Sequence, residues 1–511
     1  MLPIFMLSLL LILTKAQKDP ASKQLETFKQ NHPGPPSILT TSYGVPVDKR
    51  LTASSLNTDL LRNPFFLEMS QHSVRERIPA RVVHAKGTGA FGYLEITDDI
   101  SKYCRAKVFS KIGKRIPLVV RMSTGLTEKG GSDTTREPRG LAIKLYTEEG
   151  NLDIVCLSTP MYAYKDPLLF PSFSHVIQRN PETGLRDSNM IWDFITLRPE
   201  SLFFFLFLLS DRGIPDGYRH LAAFNIHTMQ VVNKNGESYF MRFHFLPDAG
   251  IKNLTATEAA RIAGEDLDYA TRDLYNAIAR EDFPSWTLYV QILSLKQVME
   301  ATFDPFDVTN ILPVKDYPLK RCGKLVLNKN PENQFAQIEQ LAFNPGNLPD
   351  GFVGGPGKLF ESREFVYRDA QVYRLGTNFN NMAVNCPLYK ANTYNRDGVG
   401  PVVDNGKNTP NFIPNSFGGP VPVKIPYTPR LLNIYEKDEP ENFGHARDFY
   451  ENELTGDDRG RLIQNMVAYL AGAAQRLQFE AIKLLTKVHP DLGHRVAIAI
   501  RARQTSKNTK N

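Results

Sequence analysis

A chain of 511 residues with 42% hydrophobic, 23% charged and 10% aromatic residues has the composition of a soluble globular protein, long enough for one large core with appendages. Its net charge of +7 is spread along the chain without a basic stripe of interleaved aromatics, which excludes nucleic acid as a partner. Four cysteines (Cys104, Cys156, Cys322, Cys386) lack metal-ligand spacing and are too few for a disulfide scaffold in a chain this long.

In chain order, residues 1–13 are almost wholly apolar, and Thr14-Lys15-Ala16 places small residues before Gln17. This pattern predicts a secretory signal peptide over 1–16, because the apolar run is shorter than the ~20 residues a spanning helix needs. Export follows, with no membrane attachment of the mature chain. Asn253-Leu254-Thr255 is then a usable glycosylation acceptor. The last five residues carry neither a peroxisomal address nor a retention signal.

Residues 17–80 are polar with scattered prolines and read as an extended arm. Residues 81–327 contain alternating, strand-like runs at 118–122, 140–146, 230–232, 239–245 and 287–292, with helical patches such as 256–263 between them. That pattern predicts an antiparallel barrel or sandwich with insertions. The run LFFFLFLL at 202–209 reads as a buried helix or as a patch that meets a partner chain. Residues 328–442 are rich in proline and glycine, and a segment that long without periodicity is expected to wrap on something. A helical period returns over 446–503, with Leu462, Met466, Tyr469, Leu470 and Ala473 on one face, and predicts a helical domain over 443–511.

Two stretches carry chemistry. Residues 81–97, RVVHAKGTGAFGYLEIT, contain G-x-G-x-x-G at Gly87, Gly89 and Gly92. A dinucleotide site needs a helix after the glycines and an acid about 20 residues on. Here the following run alternates and is rich in β-formers, and Asp98 and Asp99 come too early. The expectation is a strand at 81–84, a tight glycine turn and a second strand, with His84 just before the turn. Taken alone, His84 reads most simply as a structural histidine.

The second stretch is ESREFVYRDAQVYRLGTNFNNMAVNCP, residues 361–387. Arg363 and Tyr367 are four apart and share a face of a helix. An adjacent guanidinium favours the phenolate form of a tyrosine, a hard ligand suited to ferric iron. Without further context the pair is a cation–π contact on a helix surface.

The context is the order of motifs. Arg81-Val82-Val83-His84, Arg121-x-Ser123-Thr124, Arg136-x-Pro138-Arg139-Gly140, LLFPSF at 168–173, RPES at 198–201, SDRGIPDG at 210–217 and the stretch around Tyr367 together resemble the haem catalases over nearly the whole chain. The resemblance implies an α+β catalase fold: an eight-stranded antiparallel β-barrel with an N-terminal arm, a wrapping segment carrying the haem-ligand helix, and C-terminal helices. It implies decomposition of hydrogen peroxide on a haem, in a homotetramer. By that resemblance His84 is the distal acid–base and Ser123 orients its ring. Arg81, Arg121 and Arg374 bind haem propionates, Val83 and Phe170 pack on the haem, and Tyr367, paired with Arg363, ligates the iron.

The chain also departs from that family. The distal asparagine position is Leu157, and the aromatic pair that follows is Tyr162-Ala163. A leucine donates no hydrogen bond, so haem binding is expected with lowered turnover. The polar residues of NADPH-holding members align to Phe203, Ala222, Phe224, Leu246, Leu312 and Val314, with only Ser210 and Arg212 kept, so NADPH is not expected. An acid near the helix arginine is replaced by Gly357, while His227 remains. Two alternatives stand beside a catalase: a haem peroxidase or lipid-hydroperoxide-converting relative, and a non-catalytic binding protein of the same fold.

Overall fold

The computed structural model describes residues 19–56, 59–389, 391–432 and 443–508, so the predicted signal peptide lies outside the described residues. The chain divides into two units, residues 19–81 with Tyr373–Leu375, and the remainder from Val82. In the first unit the expected extended arm contains the short helices α1 (Gln24–Asn31) and α2 (Pro64–Ser73), neither with a buried residue. Asn63 caps α2 by accepting from the Phe66 N–H at 3.1 Å, and Pro64 starts the helix where a missing N–H costs nothing.

In the second unit the alternating runs become antiparallel strands: β1 (Gly87–Ile96), β2 (Arg115–Thr124), β3 (Arg139–Thr147), β4 (Gly150–Leu157), β5 (Ala223–Phe224), β6 (Met229–Val232), β7 (Ser238–Pro247), β8 (Ser285–Ser294) and β9 (Lys320–Lys329). Pairing runs β1-β2-β3-β4-β5-β7-β8-β9 and returns to β1, which closes an eight-stranded barrel; β6 pairs with β7 beside β5. Closure leaves no edge in this ring. Because side chains alternate, Ala90, Val120, Met122, Leu141, Ile143, Ile154 and Cys156 fill the interior. Val119 and, half-buried, Phe91, Ala142 and Val155 point outward, where Ile338, Leu341, Phe343 and Val384 of the 328–442 segment cover them. These four side chains of that segment lie against the outer face of the barrel.

The glycine stretch corrects the sequence reading. Gly87, Gly89 and Gly92 lie within the single strand β1 rather than in a turn between two strands, and 81–84 is not a strand. A Cβ at Gly89 would sit 2.3 Å from the Val120 carbonyl oxygen, and one at Gly87 would sit 2.9 Å from the Arg121 guanidinium. The glycines permit close approach of neighbouring chains, not a reversal.

Helices α3 (Leu169–Val176), α4 (Ser188–Leu197) and α5 (Leu202–Leu209) follow β4. All eight residues of α5 are buried, which decides between the two readings of LFFFLFLL in favour of a core helix. Its cluster includes Phe449, Leu462, Met466 and Leu470. Helix α6 (Lys358–Leu375) rises out of the wrapping segment, and α7 (Gly456–Leu470), α8 (Gln475–Val488) and α9 (Pro490–Asn508) end the chain. Thr455 and Asp458 close a capping box on α7. Of the face expected there, Tyr469 is the exception, at 47% exposure. Among the described residues no helix is long and apolar enough to cross a membrane. All four cysteines are free thiols, three of them buried.

Candidate active site on the outer face of the barrel

His84 immediately precedes β1 and has φ +62°, a left-handed conformation that side chains rarely adopt. Its backbone is held there from three directions. The His84 N–H donates to the Gly125 carbonyl at 2.8 Å, and Arg121 donates from Nη1 to the His84 carbonyl at 2.8 Å and from Nη2 to the Ala85 carbonyl at 3.1 Å. The ring is held as well, with Nδ1 3.0 Å from the Ser123 hydroxyl. That hydrogen bond restrains rotation of the ring.

Strand register shows what surrounds the imidazole. Gly87, Ser123, Gly140, Leu157 and Phe224 are paired in one row across β1 to β5. Residues directly opposite share a face, so Ser123, Gly140 and Leu157 all point outward. The His84 ring lies over Gly140, where a Cβ would come within 2.9 Å of Nδ1 and 2.7 Å of the Ser123 hydroxyl. Leu157 is the next residue in the row, about 5 Å along, on the same outward face.

The second group sits on α6. Arg363 Nη2 donates to the Tyr367 hydroxyl at 2.9 Å, with the guanidinium 5.1 Å from the ring centroid. Burial pulls the Arg363 guanidinium down, but Tyr367, Tyr162 and Tyr164 outweigh it and hold the group above its ordinary value. It therefore stays a cation. His227, 4% exposed, packs its ring edge-on against Phe360 at 5.3 Å. Burial, then Arg363 and Arg242, push it well below the usual imidazole range, so it is neutral. Helix α6 is tied to β4 through Asn344, whose N–H donates to Asp153 at 2.9 Å and whose side chain donates to the Glu364 carbonyl at 3.3 Å. Asp153 is an outward residue of the strand that carries Leu157, and it forms a buried pair with Lys144 at 2.7 Å.

Phe170, Tyr162 and Leu157 are half-buried and pack on the same apolar cluster, and Val83 is half-buried beside His84. The Tyr162 and Tyr164 hydroxyls are 3.2 Å apart. Arg81 and Arg374 belong to the first unit, where Arg374 Nε donates to the Pro79 carbonyl at 3.2 Å. Sequence reasoning missed Gly140 as the floor under His84 and Arg121 as the clamp on the His84 backbone. Both depend on pairing between distant strands, and no local signal marks them.

Residues 40–419 match the family model described as Catalase, and residues 436–500 match Catalase-related immune-responsive. The chain belongs to the haem catalase family. It is 46% identical to a catalase of Cavia porcellus over 489 residues, covering 94% of this chain and 93% of that protein. A catalase of Drosophila melanogaster is 44% identical over 504 residues, covering 96% and 100%. Among solved structures, a fungal catalase superposes with TM-score 0.85 at 36% identity, covering 91% of this chain and 97% of that one. Catalase A from Saccharomyces cerevisiae superposes with TM-score 0.84, also at 36% identity, covering 91% and 99%.

Catalase membership implies an enzyme with hydrogen peroxide as substrate and haem as cofactor. The donor chemistry of this catalase fits that group. Tyr367 offers a phenol oxygen hydrogen-bonded by a permanent cation, as a tyrosinate ligand to ferric iron requires. Leu157 on the barrel and Phe170 on α3 are apolar and only half-buried, as the bed of a flat macrocycle requires.

Proposed function

We propose that the chain decomposes hydrogen peroxide to water and oxygen, with His84 as the acid–base and Tyr367 as the protein's ligand to haem iron. The observation that carries this reading is the His84–Ser123 pair, locked in a left-handed turn on the barrel's outer face. The Arg363–Tyr367 pair stands on the helix tied to that same face. Haem, when bound, supplies the redox-active iron that accepts and returns electrons. His84 takes the proton from one peroxide oxygen and returns it to the other, so the O–O bond breaks with charge neutralised at both ends. Ser123 holds the ring for both transfers. Arg363 stabilises negative charge on Tyr367 and so keeps it a ligand. Arg81, Arg121 and Arg374 serve the haem propionates, while Val83 and Phe170 pack on its faces.

Leu157 lowers the rate. It stands beside His84 where the family has an amide, and losing one donor aimed at developing charge costs ~3–4 kcal/mol in other enzymes. The neighbouring Ser158 does not replace it, because it alternates to the other face and its hydroxyl accepts from the Arg139 N–H at 2.9 Å.

NADPH is not part of this reading. Phe203 stacks on His445 at 5.9 Å, and Arg212 is paired with Glu453 at 2.6 Å. The chain is exported after cleavage at Ala16, and it works as a homotetramer. N-terminal sequencing and sedimentation of the mature protein test these two points.

The central test is oxygen evolution from peroxide by haem-loaded protein, together with its absorption spectrum. Expected are a ferric high-spin spectrum and slow but definite oxygen release that His84→Ala abolishes. A spectrum unaltered by Tyr367→Phe, or oxygen release unaltered by His84→Ala, overturns the assignment.

A further inference from the structure

We propose that the cleft between the helix Ala256–Glu265 and α7 binds a small organic carboxylate with an apolar body, held by Arg136. The cleft shares no lining residue with the site of His84 and Tyr367, so the inference does not rest on the peroxide reading.

The cleft has a volume of about 350 Å³. Ala256, Ala260 and Ala263 share a face of their helix and form one wall, and Ala468 and Tyr469 of α7 belong to the other. Alanine side chains are one carbon long, so they line the cleft with hydrocarbon without filling it. Tyr469, the exposed exception on the inner face of α7, is thereby explained as a cleft residue. Its hydroxyl has no hydrogen-bond partner among the described residues.

Arg136 supplies the charge. Its Nη1 donates to the carbonyls of Leu208 at 3.1 Å, Leu209 at 3.2 Å and Ser210, all at the end of α5. Among the described residues Nη2, which is buried, has no partner, and Nε makes no hydrogen bond. Nε and Nη2 together form the guanidinium edge that takes a carboxylate side-on, through two parallel hydrogen bonds. Burial pulls the group below its ordinary value, opposed by Tyr469 and then Asp211, so both stand close to it. Asp211 nevertheless makes no ion pair with it, because its Oδ2 is engaged by Arg461 Nε at 2.5 Å. A buried charged donor without a partner is costly, and a ligand that supplies one recovers that cost.

The other polar groups of the cleft are committed. The Thr134 hydroxyl donates to the Ala259 carbonyl at 2.9 Å, the Thr135 hydroxyl to the Ser132 carbonyl at 3.0 Å, and the Asn465 amide to the Leu209 carbonyl at 2.9 Å. What remains for a ligand is one guanidinium edge, one phenol hydroxyl and hydrocarbon. A carboxylate on an apolar chain matches all three. An ammonium meets like charge, a neutral alcohol leaves the guanidinium unpaired, and a sugar presents hydroxyls to alanines that cannot answer them.

The test titrates haem-loaded protein with octanoate, octanol and acetate by calorimetry, on the wild type, Ala260→Leu and Arg136→Gln. Wild type is expected to bind one octanoate per chain with a dissociation constant below about 1 mM. Octanol and acetate, each lacking one half of the match, bind at least tenfold more weakly, and the haem absorbance does not change. Ala260 is exposed on a helix, where leucine is nearly as favourable as alanine, so Ala260→Leu folds and blocks the cleft. Its affinity for octanoate falls tenfold or more, and that of Arg136→Gln falls likewise. Should Arg136→Gln fail to fold, having lost its hold on the α5 carbonyls, Ala260→Leu and the octanol comparison decide. Equal affinity for octanoate and octanol, binding unchanged in Ala260→Leu, or a haem absorbance shifted by octanoate overturns the inference. Absence of octanoate binding overturns it too, and a sedimentation coefficient that Ala260→Leu then lowers assigns the cleft to a second copy of this chain.

Discussion

The imidazole of His84 rests on the bare backbone of Gly140, so closely that a single added carbon would lie 2.9 Å from Nδ1 and 2.7 Å from the Ser123 hydroxyl. Contacts under 3.0 Å are not tolerated by real side chains, so the ring or the serine must shift. Gly140→Ala is therefore expected to lower turnover tenfold or more, about 1.4 kcal/mol in transition-state stabilisation, with haem content unchanged. Oxygen evolution per bound haem measures this, and a rate within twofold of wild type sinks it.

Ser123→Ala removes the hydroxyl that holds the ring, 3.0 Å from Nδ1. Loss of a single orienting hydrogen bond is expected to reduce kcat by roughly tenfold. Ser123→Thr, which keeps the hydroxyl, recovers part of it. Equal rates for the alanine and threonine variants mean that the hydroxyl orients nothing.

The Arg363 Nη2 to Tyr367 hydroxyl contact of 2.9 Å makes a prediction separate from turnover. Arg363→Gln removes the permanent charge but not all hydrogen-bonding capacity. The tyrosinate bands of the loaded protein should shift and its haem should dissociate faster. Absorbance and haem transfer to an apo-globin acceptor report both, and an unchanged spectrum argues against Tyr367 as the ligand.

Acid stability follows from two histidines, His227 buried and His244 half-buried. Burial, then Arg242, lowers His244 to about 4, against the opposing hydrogen bond that its Nε2 donates to Gln291 Oε1 at 2.9 Å, and burial holds His227 well below the usual imidazole range. Unfolded histidine titrates near 6.5. Between pH 6.5 and about 4 the unfolded chain takes up protons the native state refuses, so stability falls as pH falls through that window. Above pH 6.5 these groups contribute no slope. The effect is up to ~1.4 kcal/mol per pH unit for each histidine. Asp133 and Glu137, raised by burial, act in the opposite sense in acid. The clean measurement is therefore a difference: the melting temperature of His244→Gln should fall less than that of wild type between pH 6.5 and 4.5. Parallel curves exclude the assignment.

For NADPH, Glu453 already meets the charge of Arg212, whose guanidinium lies over the Phe207 and Phe449 rings, and Phe203 is stacked on His445. Isothermal titration should give no sub-micromolar binding, where sub-micromolar means roughly −8 kcal/mol or stronger. Binding of that strength shows that Glu453 yields to a phosphate.

What the sequence determined by itself was whatever local spacing controls. Arg363 and Tyr367 are one helical turn apart, so their contact is a property of α6 alone, and the alternating runs marked the barrel strands because one face had to be apolar. The ordered motifs identified the family over almost the entire chain, and Leu157 was visible as a departure before any fold was known. Tertiary structure decided the rest, because the remaining relationships join residues far apart in the chain. Gly87, Gly89 and Gly92 look like a turn when read locally, yet they lie inside β1 because β2 and β9 press against it more closely than a Cβ allows. LFFFLFLL carries no polar face to say which side it buries, and only the elements packed around it, α3, α4 and helices from the C-terminal end of the chain, make it core. That Leu157 shares the outward row of Ser123 and Gly140, over which the His84 ring lies, follows from a pairing register across four strands, from Gly87 onward. A slip of one residue anywhere in that row turns the leucine into the barrel interior, and nothing in the local sequence fixes such a register.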